Sequence, residues 1–90
     1  MAERTATIGS KAGLHARPAA VFAEAAGEQP VEVSIAKADS PEEKFEAGSI
    51  LGLMGIGAEY GEKVVLTAEG EGAEASLDKL VEILETEQDD

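Results

Sequence analysis

Alternating apolar and polar residues predict four short β-strands in this chain. In a strand, successive side chains point to opposite faces of the sheet, so alternation places one set in the core and the other in water. The alternation is clearest where Val31, Val33 and Ile35 are separated by Glu32 and Ser34. The four predicted strands cover residues 3–8, 31–35, 42–47 and 63–69.

Three further segments have the pattern of α-helices. An alanine-rich run starts at about Ala16 to Pro18 and stops at Gly27. Proline suits the first turn of a helix because it has no N–H to donate. A short helix is predicted over residues 50–57, with Ser49 as its N-cap. The last helix has one apolar face, which is typical of a core and not of a cofactor site. That face is formed by Leu77, Leu80, Val81 and Leu84.

The element order β-α-β-β-α-β-α predicts an α+β fold with one sheet and its helices packed on one face. The first two strands are joined through a helix and are expected to run parallel, with a right-handed crossover. If the fourth strand lies between them, it is antiparallel to both, but the periodicity does not fix that order. The length suits one domain, residues 1–90, with residues 86–90 as a flexible acidic tail.

The chain is strongly acidic, with 7 basic and 19 acidic residues and a net charge of −12. This charge argues against nucleic-acid binding, which needs clustered Lys and Arg. No apolar run approaches the ~20 residues that a membrane span requires, and the N-terminus lacks the apolar core of a signal peptide. Together with the absence of cysteine, these features predict a cytoplasmic protein without membrane insertion.

Against this acidic background, the only histidine of the chain, His15, lies between two basic residues, Lys11 and Arg17. A helix starting near Ala16 would direct unpaired N–H groups and a partial positive charge towards His15. That charge disfavours protonation, so the imidazole is expected to be neutral and nucleophilic. A phosphoryl group on the ring would face the helix N–H groups and the guanidinium of Arg17. The residues therefore suit a phosphohistidine, whereas a capping or solvated surface histidine is the simpler alternative.

The segment 50–56 is more apolar than a short helix needs for its own packing. Part of it is expected to be exposed as a contact patch, with core packing as the alternative for several of these side chains. No second catalytic group and no metal-ligand cluster occurs in an identifiable motif, and no cofactor is expected. A small hydrolase of acyl or phosphoryl groups that uses His15 and Arg17 is therefore the weaker hypothesis.

Two motifs resemble the signatures of a known family. The sequence Gly-Leu-His-Ala-Arg-Pro-Ala at residues 13–19 closely resembles the active-site signature of HPr, the histidine-containing phosphocarrier family of the bacterial phosphoenolpyruvate:sugar phosphotransferase system. The sequence Ser-Ile-Leu-Gly-Leu-Met at residues 49–54 resembles the family's second signature. Length, element order and the placing of both motifs agree with the family over nearly the whole chain.

The resemblance implies an open-faced β-sandwich, with a four-stranded sheet in the order 1-4-2-3 and three helices on one side. It implies that His15 accepts a phosphoryl group on Nδ1 from phosphorylated enzyme I and passes it to enzyme IIA of a sugar permease, with Arg17 holding the group. The chain would be a monomeric, stoichiometric carrier and not an enzyme. The residues implied in partner docking are Ala16, Ala20, Ile50, Leu51 and Met54.

The same resemblance implies regulatory phosphorylation of Ser49 by a serine kinase. Relatives regulated in this way often carry a basic residue just before the serine, whereas this chain has Gly48; without a kinase, capping a helix is the whole role of Ser49. Ala12 stands where many relatives have Ser or Asn, so one side-chain hydrogen bond near the phosphohistidine is missing. The closest alternative function is an HPr-like regulator, in which phosphorylation of His15 reports metabolic state to regulatory proteins without driving sugar uptake.

Overall fold

The computed structural model describes residues 2–9, 16–57 and 59–85 of the chain. Within these residues the chain forms four strands and three helices. The strands are β1 (Ala2–Thr7), β2 (Val33–Lys37), β3 (Phe45–Glu46) and β4 (Lys63–Ala68). The helices are α1 (Ala16–Gly27), α2 (Ile50–Ile56) and α3 (Ala73–Glu85).

The four strands form a single sheet in the order β1-β4-β2-β3, and each neighbouring pair is antiparallel. β4 is a central strand, because its Ala68 lies opposite both Ala2 of β1 and Val33 of β2. Since β1 and β2 both run opposite to β4, they are parallel to each other, as expected for strands joined through a helix. The predicted α+β fold and the strand order 1-4-2-3 are confirmed.

The core lies between the sheet and the three helices. α3 packs on β1 and β4, α2 packs on β2 and β3, and α1 contacts both of the other helices. The predicted apolar face of β4 is buried, as is the face of α3, except that Val81 is only partly buried at the edge of the core. The largest fully buried side chains are Phe22, Ile8, Ile35, Leu53, Leu66, Leu77, Leu80 and Val64.

All four strands differ from their predicted boundaries, because pairing between strands, and not alternation, decides where a strand ends; β4 differs least and ends one residue early, at Ala68. β1 begins and ends one residue earlier than predicted, and Ile8 follows it with its side chain still buried. β2 lies two residues further along the chain than predicted, since its pairs with β4 run from Val33 to Lys37. Val31 precedes the strand and packs against the core without being part of the ladder.

β3 is much shorter than the predicted strand over residues 42–47. Its ladder with β2 consists of two pairs, Ser34 with Glu46 and Ile35 with Phe45. The preceding residues form a turn in which the Glu43 N–H donates to the Ser40 carbonyl oxygen at 3.0 Å. The prediction of Phe45 as the apolar anchor of this strand agrees with its packing against the core.

The end of β1 is held from two sides. The Ile8 N–H donates to the Glu62 carbonyl oxygen at 2.9 Å, and the Ile8 carbonyl accepts from the Gly61 N–H at 3.0 Å. The next residue, Gly9, donates its N–H to the Leu84 carbonyl oxygen at 2.9 Å, close to the end of α3. The segment 10–15 therefore follows a hydrogen-bonded residue, Gly9, and precedes the first residue of α1.

The predicted acidic tail, residues 86–90, lies outside the described residues. Among the described residues, no helix has both the length and the apolar character to cross a membrane.

Candidate functional site

The start of α1 agrees with the prediction from the sequence. The helix begins at Ala16, the residue that directly follows His15 in the chain, and Pro18 lies in its first turn. The first N–H groups of a helix have no partner within the helix and form a ready site for an anion. His15 itself lies outside the described residues, as do Lys11 and Ala12, and the side chains of residues 16–18 are likewise not described.

Beyond its first turn, α1 has one buried and one exposed face. The buried face consists of Ala19, Phe22, Ala23 and Ala26. The exposed face carries Ala20, Val21 and Glu24. Because residues four apart lie on the same side of a helix, the backbone position of Arg17 is on the exposed face, one turn before Val21. The backbone position of Arg17 and the exposed apolar residues of α1 therefore share one side of the helix.

The predicted cap of α2 is present. Ser49 has an extended backbone, with φ −109° and ψ 118°, and its Oγ accepts a hydrogen bond from the Gly52 N–H at 3.1 Å. The Ser49 carbonyl accepts the Leu53 N–H at 3.0 Å, the first bond of the helix. The helix ends at Gly57, whose φ of 71° is in the left-handed region that glycine adopts without strain.

α2 buries only Leu53 and Ile56 and exposes its other large apolar side chains. The exposed fractions are 44% for Ile50, 84% for Leu51 and 48% for Met54. With the exposed Ala20 and Val21 of α1, these side chains form what we call the α1–α2 patch, on two helices that pack against each other. Exposure of part of the apolar segment 50–56 is thus confirmed, while Leu53 and Ile56 follow the alternative, core packing.

Sequence reasoning did not assign Val21 to this surface. Val21 is 44% exposed, whereas its neighbour Phe22 is fully buried. The spacing of Val21 from Arg17 was the available signal, since it separates Val21 from the face that carries Phe22 and Ala26. Of the five large apolar side chains exposed on the described surface, four lie on α1 and α2 and the fifth is Tyr60. This concentration indicates a contact surface rather than scattered exposure.

Tyr60 lies in a turn that contacts two strands. The backbone of Gly61 and Glu62 bonds to Ile8, the residue after β1, and the side chain of Glu62 lies near Lys37 of β2. The Glu59 N–H donates to Oε1 of Glu62 at 2.8 Å, and this bond is the largest cause that lowers the pKa of the Glu62 carboxyl group. Partial burial acts in the opposite direction, and Lys37, with Nζ 3.5 Å from Oε2 of Glu62, lowers the pKa further. The turn holds Tyr60 at the end of the sheet from which the chain continues to segment 10–15.

Within the described residues, no group of three or more histidine, cysteine or carboxylate side chains is placed to hold a metal ion. The candidate site in the described residues is the start of α1 together with the exposed apolar α1–α2 patch.

Comparison with known proteins agrees with this arrangement. A family model described as the PTS HPr component phosphorylation site matches residues 2–86. The chain is 48% identical over 85 residues to the phosphocarrier protein HPr of Streptomyces coelicolor, covering 93% of this chain and 88% of that protein. It is 44% identical to the phosphocarrier protein HPr of Haloferax volcanii, with 93% of each chain covered.

Solved structures show the same fold. A crystal structure of HPr from Thermoanaerobacter tengcongensis superposes with a TM-score of 0.83 at 39% identity, covering 94% of this chain and 92% of that one. A structure of an HPr dimer from the same organism superposes with a TM-score of 0.68, so the relatives include a dimeric form and the predicted monomer stays a prediction. Family model, relatives and fold agree over most of the chain, and the chain therefore belongs to the HPr family of phosphocarrier proteins of the phosphotransferase system.

Proposed function

We propose that this chain accepts a phosphoryl group on Nδ1 of His15 from phosphorylated enzyme I and passes it to enzyme IIA components of sugar permeases. The observation that carries the proposal is the start of α1 at Ala16, directly after the one histidine of the family's signature. N–H groups of the first turn and the guanidinium of Arg17 would neutralise the phosphoryl oxygens. In each transfer the donor's P–N bond breaks as a bond from phosphorus to the acceptor forms.

The carrier needs little catalytic machinery of its own. Phosphoryl transfer depends mainly on in-line positioning and neutralisation of charge. In the proposed mechanism each partner supplies half of the transition-state site, and the chain is consumed and regenerated in every cycle, which makes it a carrier and not an enzyme. The α1–α2 patch supports this mechanism because it offers an apolar surface beside the phosphate-binding end of α1. Ala16, Ala20, Ile50, Leu51 and Met54 are the proposed docking residues, to which we add Val21.

The test of this proposal is phosphorylation of the purified chain by phosphoenolpyruvate and enzyme I. We expect a single phosphoryl adduct by intact mass, labile in acid and stable in alkali, that is absent from His15→Ala. No adduct with an enzyme I that phosphorylates another carrier would contradict the proposal. The adduct is then presented to a sugar-specific enzyme IIA; transfer supports the transport role, whereas transfer only to a regulatory protein favours the HPr-like regulator.

Arg17 has a separate test within the same assay. Its planar guanidinium binds phosphate oxygens through two N–H groups and keeps its charge, whereas lysine offers a point charge. We expect Arg17→Ala to slow phosphorylation of His15 by about tenfold or more, equivalent to about 1.4 kcal/mol of transition-state stabilisation, and Arg17→Lys to recover part of it. Equal rates for the wild type and Arg17→Ala would remove Arg17 from the site.

Ser49 is the proposed site of regulation on the same surface. Its side chain is half-buried, caps α2 and directly precedes the exposed Ile50. A phosphoryl group would place roughly two negative charges next to the apolar side chains that a partner covers. We expect Ser49→Asp to weaken binding of enzyme I, measured by calorimetry; unchanged affinity would leave the cap as the role of Ser49.

A further inference from the structure

The α1–α2 patch has acidic residues at one end, and its two helices carry no basic residue after Arg17. Glu24 lies on the exposed face of α1, one turn beyond Ala20 and Val21, and Glu28 is exposed directly after the helix. α2 contains no charged residue, and no Lys or Arg occurs in the sequence between Arg17 and Lys37. Along α1, positive charge is therefore confined to the end at which the helix begins.

Glu24 and Glu28 flank the place where the two helices of the patch meet. A Cβ atom added to Gly48 would lie 3.9 Å from the Cα of Gly27, so the last residue of α1 adjoins the residue before the Ser49 cap. Glu24 is three residues before Gly27 and Glu28 is the residue after it. The two carboxylates therefore lie at the edge of the patch where α2 begins.

Both carboxylates are available to a partner. In the described part of the chain, neither Glu24 nor Glu28 forms an ion pair or a side-chain hydrogen bond. By contrast, Asp78 binds Arg4 at 2.9 Å and Glu62 lies 3.5 Å from the ammonium group of Lys37, so these two carboxylates are already paired. Two unpaired carboxylates beside an exposed apolar surface would repel an acidic partner and attract a basic one.

We propose that enzyme I, when it docks on the α1–α2 patch, places basic side chains opposite Glu24 and Glu28 and an apolar surface over Ile50, Leu51 and Met54. This inference rests on the proposed function and specifies the chemistry of the partner surface. Arg17 does not supply this recognition, because its guanidinium is assigned to the phosphoryl group. A phosphoryl group on Ser49 would act differently from Glu24 and Glu28. Ser49 is half-buried next to Ile50, so its charge would lie among the apolar side chains that the partner covers, whereas the two carboxylates lie at the edge of the patch.

The consequence of this complementarity is a rate effect that depends on salt. Opposite charges on two docking surfaces accelerate their encounter, and dissolved ions screen that attraction. The second-order rate constant for transfer from phosphorylated enzyme I of the same organism to this chain is therefore expected to fall several-fold as NaCl rises from about 0.05 to about 0.5 M. An acidic partner surface predicts the opposite slope.

Reversing the charge of Glu24 and Glu28 tests whether these two residues cause the salt dependence of the rate constant. The double variant Glu24→Lys/Glu28→Lys should lower the rate constant about tenfold at low salt and remove most of its salt dependence. The matched control is Glu69→Lys/Glu71→Lys, which changes the net charge equally at two exposed residues between β4 and α3. Gly70 and Gly72 of that turn approach Val31 and Pro30, so the control lies at the same end of the sheet as Glu28. Glu69 continues the face of β4 that carries Val65 and Thr67, which is turned away from the helices and from the patch. The control should change the rate constant by about twofold or less.

The results of these experiments test the inference about charge separately from the proposed function. A rate constant that rises with salt, or equal effects of the two double variants, would overturn the inference while transfer to His15 keeps the proposed function intact. Absence of any His15 adduct in the wild type would overturn both. Thermal unfolding of both double variants shows whether they are folded, and a folded Glu24→Lys/Glu28→Lys with wild-type rates would contradict the inference directly.

Discussion

At the scale of single residues, Gly9 is the position where the backbone leaves no room for a side chain. A Cβ atom there would meet the carbonyl oxygen of Glu85 at less than contact distance and would lie 2.7 Å from the carbonyl carbon. Both atoms belong to the backbone at the end of α3, which cannot move without disturbing the hydrogen bond from Gly9 to Leu84. Glycine is required here for close approach and not for its backbone angles.

We therefore expect Gly9→Ala to lower the free energy of unfolding by about 1–3 kcal/mol, as overpacking does in other proteins. Gly27→Ala is the matched control, because a Cβ atom at Gly27 meets nothing within 4 Å. Alanine at Gly27 should be neutral or stabilising by up to about 1 kcal/mol. Urea denaturation measures both changes, and a Gly9→Ala as stable as the wild type would show that the end of α3 can yield.

Glu62 predicts a pH dependence at the residue scale. The Glu59 N–H and Lys37 lower the pKa of its carboxyl group in the folded protein, so the ionised form is favoured by folding. A lowered pKa adds stability that is present above the pKa of the unfolded chain and is lost as the pH falls through the folded value. The stability difference between the wild type and Glu62→Gln should therefore be larger at about pH 7 than at about pH 3. Carboxyl NMR titration provides the direct check: Lys37→Met should raise the midpoint for Glu62 towards its ordinary value.

At the scale of elements, α2 depends on its cap. With seven residues it is too short to be stable alone, and it contains two glycines, so its ends matter. Removing the Ser49 hydroxyl leaves the Gly52 N–H without its 3.1 Å acceptor. We expect Ser49→Ala to lower the free energy of unfolding by about 1 kcal/mol and Ser49→Asp, which restores an acceptor, to stay close to the wild type. Equal losses in both variants would contradict capping as the source of the effect.

The elements also show what the sequence predicts and what it does not. Helix starts at Ala16 and after Ser49 were predictable, because Pro18 and Ser49 act through local backbone chemistry. The limits of β2 and the shortness of β3 were not, because they depend on which residues of distant strands pair. For the same reason the alternation around Val33 gave the correct buried face but not the correct strand ends.

The candidate site also has features that the sequence predicts and features that it does not. The apolar density of segment 50–56 predicted an exposed patch, and the resemblance to the family named its residues Ile50, Leu51 and Met54. Val21 was missed, because a single valine in an alanine-rich helix is usually a core residue. The position of Glu24 and Glu28 at the edge of the patch could not be inferred from composition, since acidic residues occur along much of the chain. Their place beside α2 depends on the approach of Gly27 to Gly48, two residues that are distant in the sequence.

At the scale of the whole molecule, the net charge of −12 opposes the compact state by self-repulsion. Salt screens this repulsion, so the melting temperature should rise by several degrees between about 0.05 and about 0.5 M NaCl. The double variant Glu69→Gln/Glu71→Gln, with two fewer negative charges, should melt higher at low salt and respond less to NaCl. A melting temperature that falls with NaCl would show that ion pairs such as Arg4 with Asp78 outweigh the repulsion.

The strand order has a consequence for how the protein is made. In the described sheet β1 pairs with β4 alone, and α3 covers β1, so the first strand of the chain finds its place only when the last third of the sequence is available. Contacts between such distant segments form late, because a long loop must close first. A chain still growing on the ribosome therefore lacks the anchor at Gly9 that fixes one end of the segment leading to His15. If His15 carries the phosphoryl group as proposed, a chain that still lacks β4 and α3 would not take part in the phosphorylation cycle.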